Sequence, residues 1–333
     1  MSETRRYHWL CAGLAILVAL LFMLSLLIGP AALGAYDGLH ALVTGEGDAV
    51  VLVMREIRLP RAILGLLVGG ALGLSGAVLQ GYLRNPLAEP GLLGVSASAS
   101  LGAVIAIYTG LSALFPLALP LLALAGAFAS VLIVQTLAGR HGGTLTVILA
   151  GVALSSLAAA MTSLALNLSP NPYAAMEIVF WLLGSLADRS MLHVMLAAPF
   201  ILVGAVMLLS LGRALDALTL GTETAVSMGV NLKRVQIFAI TGTAAAVGAA
   251  TAISGAIGFV GLIVPHILRP LVGAQPSRLL PVSALGGAAV LLMADIAVRI
   301  IAPSRDLKLG VLTALVGAPF FLWLVLRYRR KML

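Results

Sequence analysis

Residues 9–28 read WLCAGLAILVALLFMLSLLI, an uncharged run of about twenty apolar or small residues. As an α-helix rising about 1.5 Å per residue, such a run reaches about 30 Å, the thickness of a bilayer's hydrocarbon core. Arg5 and Arg6 precede it, as basic residues precede a secretory signal. A signal's apolar core is only about 7–15 residues long, so the run is read as a retained first span. The whole chain is built the same way, with 333 residues, 61% hydrophobic and 10% charged. Ten spans of about 20 residues would use about 60% of it. A soluble globular fold, which carries about 25% charged residues, is excluded.

Working outward from this run, apolar stretches bounded by charge, Pro and Gly place spans near 9–29, 61–83, 92–110, 113–138 and 145–167, then near 191–212, 235–256, 258–275, 282–302 and 307–326. The segment 258–275 is interrupted by His266 and Arg269. The expected fold is all-α, a polytopic transmembrane helix bundle of about ten spans in one domain over residues 1–333. An even number of spans puts both termini on one side.

The chain carries 20 Lys and Arg against 12 Asp and Glu, a net charge of +8. No lysine-rich run accompanies this excess and aromatic residues make up only 5%, so nucleic acid is not expected as a partner. Cytoplasmic loops rich in Lys and Arg account for it. With the N-terminus inside, Arg55, Arg58, Arg61, Arg189, Arg299, Arg305 and Lys308 fall outside and the other thirteen fall inside. Both termini are therefore expected to be cytoplasmic. Sliding the chain against itself aligns Gly69 with Gly248, Ser75-Gly76-Ala77 with Ser254-Gly255-Ala256, Leu83 with Leu262, Pro86 with Pro265 and Gly94 with Gly273. Since spans 2 and 7 run in opposite directions, this is a weak inverted internal repeat, an arrangement found in alternating-access transporters. Chance matching in a glycine-rich chain is the competing explanation.

The residues narrow the chemistry further. A phosphate-binding GxxxxGK[ST] loop needs a lysine after glycine, and none of Lys233, Lys308 and Lys331 follows one. Any ATP-driven role needs a separate ATPase subunit. Carboxylates inside spans mark coupled carriers and intramembrane enzymes. Here Asp295 is nearly alone, and Arg299 one turn later can neutralise it or leave it a direct role. His8, His40, His141, His193 and His266 follow no metal-ligand spacing, and the single Cys11 excludes an intrachain disulfide, so no metal is assigned.

Two polar stretches remain. Between spans 6 and 7, residues 213–234 form the longest inner connection, and Leu215, Leu218, Ala225, Val226 and Met228, broken by glycines, suit two short helices. They would dock into a partner's groove or lie on lipid headgroups. Outside, Arg55, Arg58 and Arg61 recur every third residue, near one face if helical, and would meet acidic residues of a docking protein or lipid headgroups.

The run Arg58-Leu-Pro-Arg61, followed by Ser75-Gly76 through Gln80 and Arg84-Asn85-Pro86-Leu87-Ala-Glu-Pro90-Gly-Leu-Leu-Gly94, resembles the permease family of ABC importers for iron chelates and vitamin B12. Ala217 to Gly221 with Met228-Gly229-Val230, Ser254 to Arg269 with Pro265-His266, and Leu309-Gly310 to Pro319-Phe320 resemble the same family in the same order. The resemblance implies a ten-span permease that homodimerises around a central path. Two ATPase subunits would bind below, carrying ATP and magnesium that this chain does not bind, and a periplasmic or lipid-anchored binding protein would dock above. It places the chain in a bacterial inner membrane. It implies binding-protein docking by Arg58, Arg61 and Arg299, and ATPase coupling through Leu218, Gly221, Ala225, Met228, Gly229 and Val230. An inner gate would form from Asn85, Leu87 and Thr144.

Ser155, Ala159, Thr162 and Ser163 recur at helical spacing in span 5, a small, weakly polar stripe suited to a translocation path or to close helix packing. Asp306-Leu-Lys308-Leu departs from the family's commoner Glu-Leu-Pro, which puts the local loop shape in question. The expected activity is import of a ferric siderophore or haem, with vitamin B12 as the alternative cargo and no bond chemistry in this chain. A secondary carrier acting alone is the reading of another class.

Overall fold

The computed structural model describes residues 3–31, 33–139, 144–169, 171–303 and 307–332. Arg140, His141, Arg305 and Asp306 lie outside the described residues, as do the side chains of Arg329, Arg330 and Lys331. Among the described residues every regular element is helical. The first half runs α1 (Glu3–Leu27), α2 (Ala35–Thr44), α3 (Asp48–Leu52), α4 (Leu59–Tyr82), α5 (Val95–Tyr108), α6 (Leu111–Leu114), α7 (Ala118–Ala138) and α8 (Thr144–Asn167). The second runs α9 (Pro172–Leu182), α10 (Met191–Leu209), α11 (Gly212–Thr219), α12 (Thr222–Ser227), α13 (Leu232–Ser254), α14 (Val260–Leu268), α15 (Pro276–Ile301) and α16 (Leu309–Met332).

Each of the ten expected spans contains a helix, and eight of them are long and apolar enough to cross a membrane. The stretches expected at 92–110 and 258–275 are shorter. The first holds α5, 14 residues and so about 21 Å long. The second is cut at Arg269, which precedes Pro270: proline has no N–H with which to continue the helical bonding, and α14 passes into a 3-10 turn at Arg269–Val272. Four helices, α2, α3, α6 and α9, were not expected as separate elements. Of these, α9 carries its own signal, because Asn171 caps it by accepting from the Ala174 N–H at 2.8 Å and Pro172 takes the first turn.

The centre of the protein is an antiparallel pair, α4 against α15. Gly65, Gly69 and Gly73, one turn apart on α4, face Leu292, Gly287 and Ser283 of α15. A methyl group on Gly73 would overlap the Ser283 carbonyl and one on Gly287 would overlap the Gly69 carbonyl, so the two backbones touch. In a membrane, where apolar side chains gain nothing over lipid, such close backbone approach is what holds helices together. Most of α4 and α13 is buried inside the protein, whereas α1, α8, α10 and α16 leave rows of Leu, Val and Phe exposed, as lipid-facing helices do.

The repeat is legible in the turns. Pro90–Leu93 and Arg269–Val272 are both 3-10 turns, closed by left-handed glycines, Gly94 at φ 73° and Gly273 at φ 66°. They coincide under the alignment that pairs Pro86 with Pro265. The helices before them diverge: Gly76 lies inside α4, whereas its match Gly255, at φ 70°, ends α13.

Candidate functional site

Two clusters sit at opposite ends of the α4–α15 pair. At the first, Arg61 grips Asp295 with two nitrogens, its Nη2 lying 2.8 Å and its Nε 3.0 Å from the carboxylate. Arg299, one turn beyond Asp295, closes a second ion pair at 2.9 Å, the expected pairing on one helix face. Arg299 also donates to the carbonyls of Ser25 and Ile28, at 2.8 and 2.6 Å, and to the Ser25 hydroxyl at 2.6 Å. Arg58 donates to the carbonyls of Leu26, Leu27 and Ala31 at 3.0, 2.9 and 2.6 Å. A helix leaves its last four carbonyls without partners, and two arginines satisfy those of α1. Asp295 is 1% exposed, Arg58 4% and Arg299 9%, while the Arg61 side chain, at 16%, is the most open of the four.

The three-residue spacing of Arg55, Arg58 and Arg61 does not put them on one face. Residues Val53–Arg58 form a π-helical turn, wider than an α-turn. Arg55 consequently reaches the Leu42 carbonyl, Arg58 the end of α1, and Arg61 crosses to α15. Of the other cations expected outside, Arg189 donates to the Ile253 carbonyl at 2.6 Å, and Lys308 lies over the Phe180 ring at 5.4 Å.

At the opposite end the connection 213–234 folds into α11 and α12, two short helices as its glycines suggested. Leu215 packs against Gly81 at the end of α4. Asp216 accepts from the Ser277 N–H at 2.8 Å and from the Gln275 amide at 3.1 Å, capping the start of α15. The coupling candidates divide: Leu218 and Ala225 are buried in the chain's own core, and Gly221 and Val230 are half-buried. Met228 and Gly229 face outward with Val226 and Leu220, the last missed in the sequence. Gly221, at φ 112°, sets the bend between the two helices. Beside them a groove of about 500 Å³ is floored by Leu211, Ala217 and Val235 and rimmed by Arg213 and Arg234.

The proposed gate loop follows α4. Asn85 accepts from the Leu87 N–H at 2.9 Å, making a tight turn. Burial pushes the Glu89 carboxyl above the ordinary carboxylate range, and a hydrogen bond with the Phe259 backbone partly offsets this. The loop then meets α8: a methyl group on Gly151 would overlap the Leu92 carbonyl, and Gly94 lies beside Leu154 and Ser155. Thr144 opens α8, seven residues before Gly151 and thus about 10 Å from that contact. Along the stripe, Ser155 and Thr162 are half-buried, while Ala159 and Ser163 are exposed. Among the described residues, no three His, Cys, Asp or Glu side chains gather as metal ligands would.

Known proteins are similar to this chain in sequence and in fold. The chain is 40% identical over 320 residues to the Fe(3+) dicitrate transport system permease protein FecD of Escherichia coli (strain K12), covering 94% of this chain and 99% of that protein. It is 40% identical over 332 residues to the vitamin B12 import system permease protein BtuC of Salmonella paratyphi A, covering 99% and 98%. The solved structure of a metal-chelate type ABC transporter in an inward-facing conformation superposes with a TM-score of 0.84 at 34% identity, covering 95% of this chain and 98% of that one. The FecCD transport family profile matches residues 17–327. Membrane-length helices, an inward-turned charge cluster and an outward-turned helix pair describe a multi-pass transport component rather than an enzyme, and the chain belongs to the FecCD transport family.

Proposed function

We propose that two copies of this chain form the membrane path of an ABC importer in a bacterial inner membrane, with two ATPase subunits on the cytoplasmic side and a substrate-binding protein outside. The cargo is an iron chelate, a ferric siderophore or haem; vitamin B12 is the alternative on the same scaffold. The observation that carries this reading is the pair α11 and α12. It presents Leu220, Val226 and Met228 to solvent while Leu215 and Asp216 tie it to α4 and α15. Movement of a docked ATPase therefore reaches two central helices directly, and this chain supplies no phosphate-binding loop of its own. The excess of Lys and Arg expected on that face agrees with cytoplasmic coupling and cytoplasmic termini.

At the other end two guanidinium groups pair with one carboxylate and a third, Arg58, bonds the end of α1, a local positive excess that carboxylates of a binding protein would complement. Arg61 is the member most open to them. Arg58 and Arg299 set the shape of this end through α1 and contribute field rather than direct contact. Asn85, Leu87 and Thr144 form the inner gate, and the stripe Ser155, Ala159, Thr162 and Ser163 lines the path. Such a surface offers only weak contacts, so cargo passes without being retained.

The test is ATPase activity of the chain copurified with its ATPase and binding protein, with haem, ferric siderophores and cyanocobalamin supplied in turn. Stimulation by one of them fixes class and cargo. Uptake into proteoliposomes that persists undiminished without the ATPase subunit overturns this reading in favour of a carrier acting alone.

A further inference from the structure

Gln80, one turn from the end of α4, is 1% exposed, and a primary amide held away from water must be fully paired to persist there. Its carboxamide oxygen accepts from Arg269 Nη2 at 2.6 Å. Its NH2 group lies 3.3 Å from the Leu262 carbonyl and 3.4 Å from that of Gly261, in the first turn of α14. That turn is pressed against α4: a methyl group on Gly76 would overlap the Gly261 carbonyl, and one on Gly261 would stand 2.8 Å from Cδ of Pro90. The main chain of Gln80 works in the other direction. Its carbonyl accepts from the Asn85 N–H at 3.2 Å, and Asn85 in turn holds Leu87 N–H with its side chain and Ala88 N–H with its carbonyl. One residue is thus bonded to the Asn85–Leu87 turn through its backbone and to α14 and Arg269 through its side chain.

We propose that Gln80 is a positioning residue that sets where the turn Asn85–Leu87 stands relative to α14, with Arg269 as its partner. The proposal rests on the gate reading for its functional meaning, because the Gln80 side chain faces the protein's own interior. The charged hydrogen bond from Arg269 is the stronger of its links, since bonds to an ionised donor exceed neutral ones about twofold. The weak, long contacts to Gly261 and Leu262 add direction rather than strength. When α14 or the turn at Arg269 moves, the end of α4 and the gate turn follow.

The experiment uses the Cys11→Ser background, since Cys11 is the sole cysteine, carrying Leu87→Cys, in inside-out membrane vesicles with a membrane-impermeant maleimide. Gln80→Leu is expected to raise the labelling rate about tenfold, the scale of losing one charged hydrogen bond. Arg269→Leu is expected to do the same, and it serves where Gln80→Leu does not fold. Gln80→Glu keeps the acceptor for Arg269 and is expected to label no faster than the parent, a rescue that mere filling of space would not produce. Labelling unchanged by Gln80→Leu, or equally fast in Gln80→Glu, overturns the proposal. The gate reading is tested separately by whether the adduct at position 87 stops uptake of haem, ferric citrate and cyanocobalamin. Labelling that follows Gln80 while uptake continues keeps the tie and removes the gate.

Discussion

The two ends of the α4–α15 pair carry the residues that the sequence marks for partners, and they use them in opposite ways. At the Asp295 end, Arg58, Arg61 and Arg299 turn inward, onto one carboxylate and the free carbonyls of α1. At the Asp216 end, α11 and α12 keep Leu215, Leu218 and Ala225 inside, tie Asp216 to α15 and turn Leu220, Val226 and Met228 outward. The difference follows from what each side chain can do near a membrane. A guanidinium has five donors and an unpaired carbonyl is costly, so arginine close to a helix end is drawn to backbone. Leu220, Val226 and Met228, within or beside two short helices, have no core left to enter once Leu215, Leu218 and Ala225 occupy it. Exposed apolar residues on such helices fit a protein groove.

If the Asp295 end is held by charge, removing the carboxylate that Arg61 and Arg299 share has the largest effect. Asp295→Ala leaves Arg61 and Arg299 facing each other and is expected to cost about 3–5 kcal/mol, read as a fall in the thermal unfolding midpoint in detergent. A midpoint equal to the parent's would mean that the arginine–carbonyl bonds suffice alone. The opposite end should respond in binding and not in stability. Met228→Glu puts a charge where an apolar contact is expected and should weaken retention of the ATPase by about ten- to a hundredfold, with the unfolding midpoint unchanged. Retention at the parental level would show that this face does not dock.

A smaller effect links the two ends. Asp216→Ala removes a cap from α15 and is expected to cost about 1 kcal/mol, while raising the ATP hydrolysed per cargo molecule carried. Parental coupling at reduced stability would make Asp216 a cap and no lever. The smallest expected effect is a pH slope from Glu89, between the two ends. Its folded-state affinity for a proton exceeds that in the unfolded chain, so it adds stability below the ordinary carboxylate range and loses it as pH rises through the raised value. Glu89→Gln should flatten that part of the stability profile measured in detergent. A slope identical to the parent's would assign it to other groups.

Much of the molecule was legible from residue type alone. A span is a count of apolar residues, since hydrocarbon tolerates little else, and all ten expected positions hold helices. The family motifs read in the sequence are those of the family that the chain belongs to. The short helices 212–219 and 222–227 were legible because Gly221 and Gly229 interrupt an apolar pattern too short for a span. The shortness of α5 and α14 was not. Each is extended by a 3-10 turn, Pro90–Leu93 before α5 and Arg269–Val272 after α14, which hydropathy reads as more span.

The sequence by itself determined that this chain lies in a membrane, that it is helical and that any ATP-driven role needs another subunit, because each follows from composition or from the absence of a required residue. Only the tertiary structure decided that Arg61 reaches Asp295 across 234 positions, that Arg58 serves α1 rather than solvent, and that Gln80 joins the Asn85–Leu87 turn to Arg269. Those are choices among partners far apart in the chain. Periodicity says which way a residue faces on its own helix, and the packing of glycine against backbone, at Gly69, Gly73 and Gly76, decides which other helix it then meets.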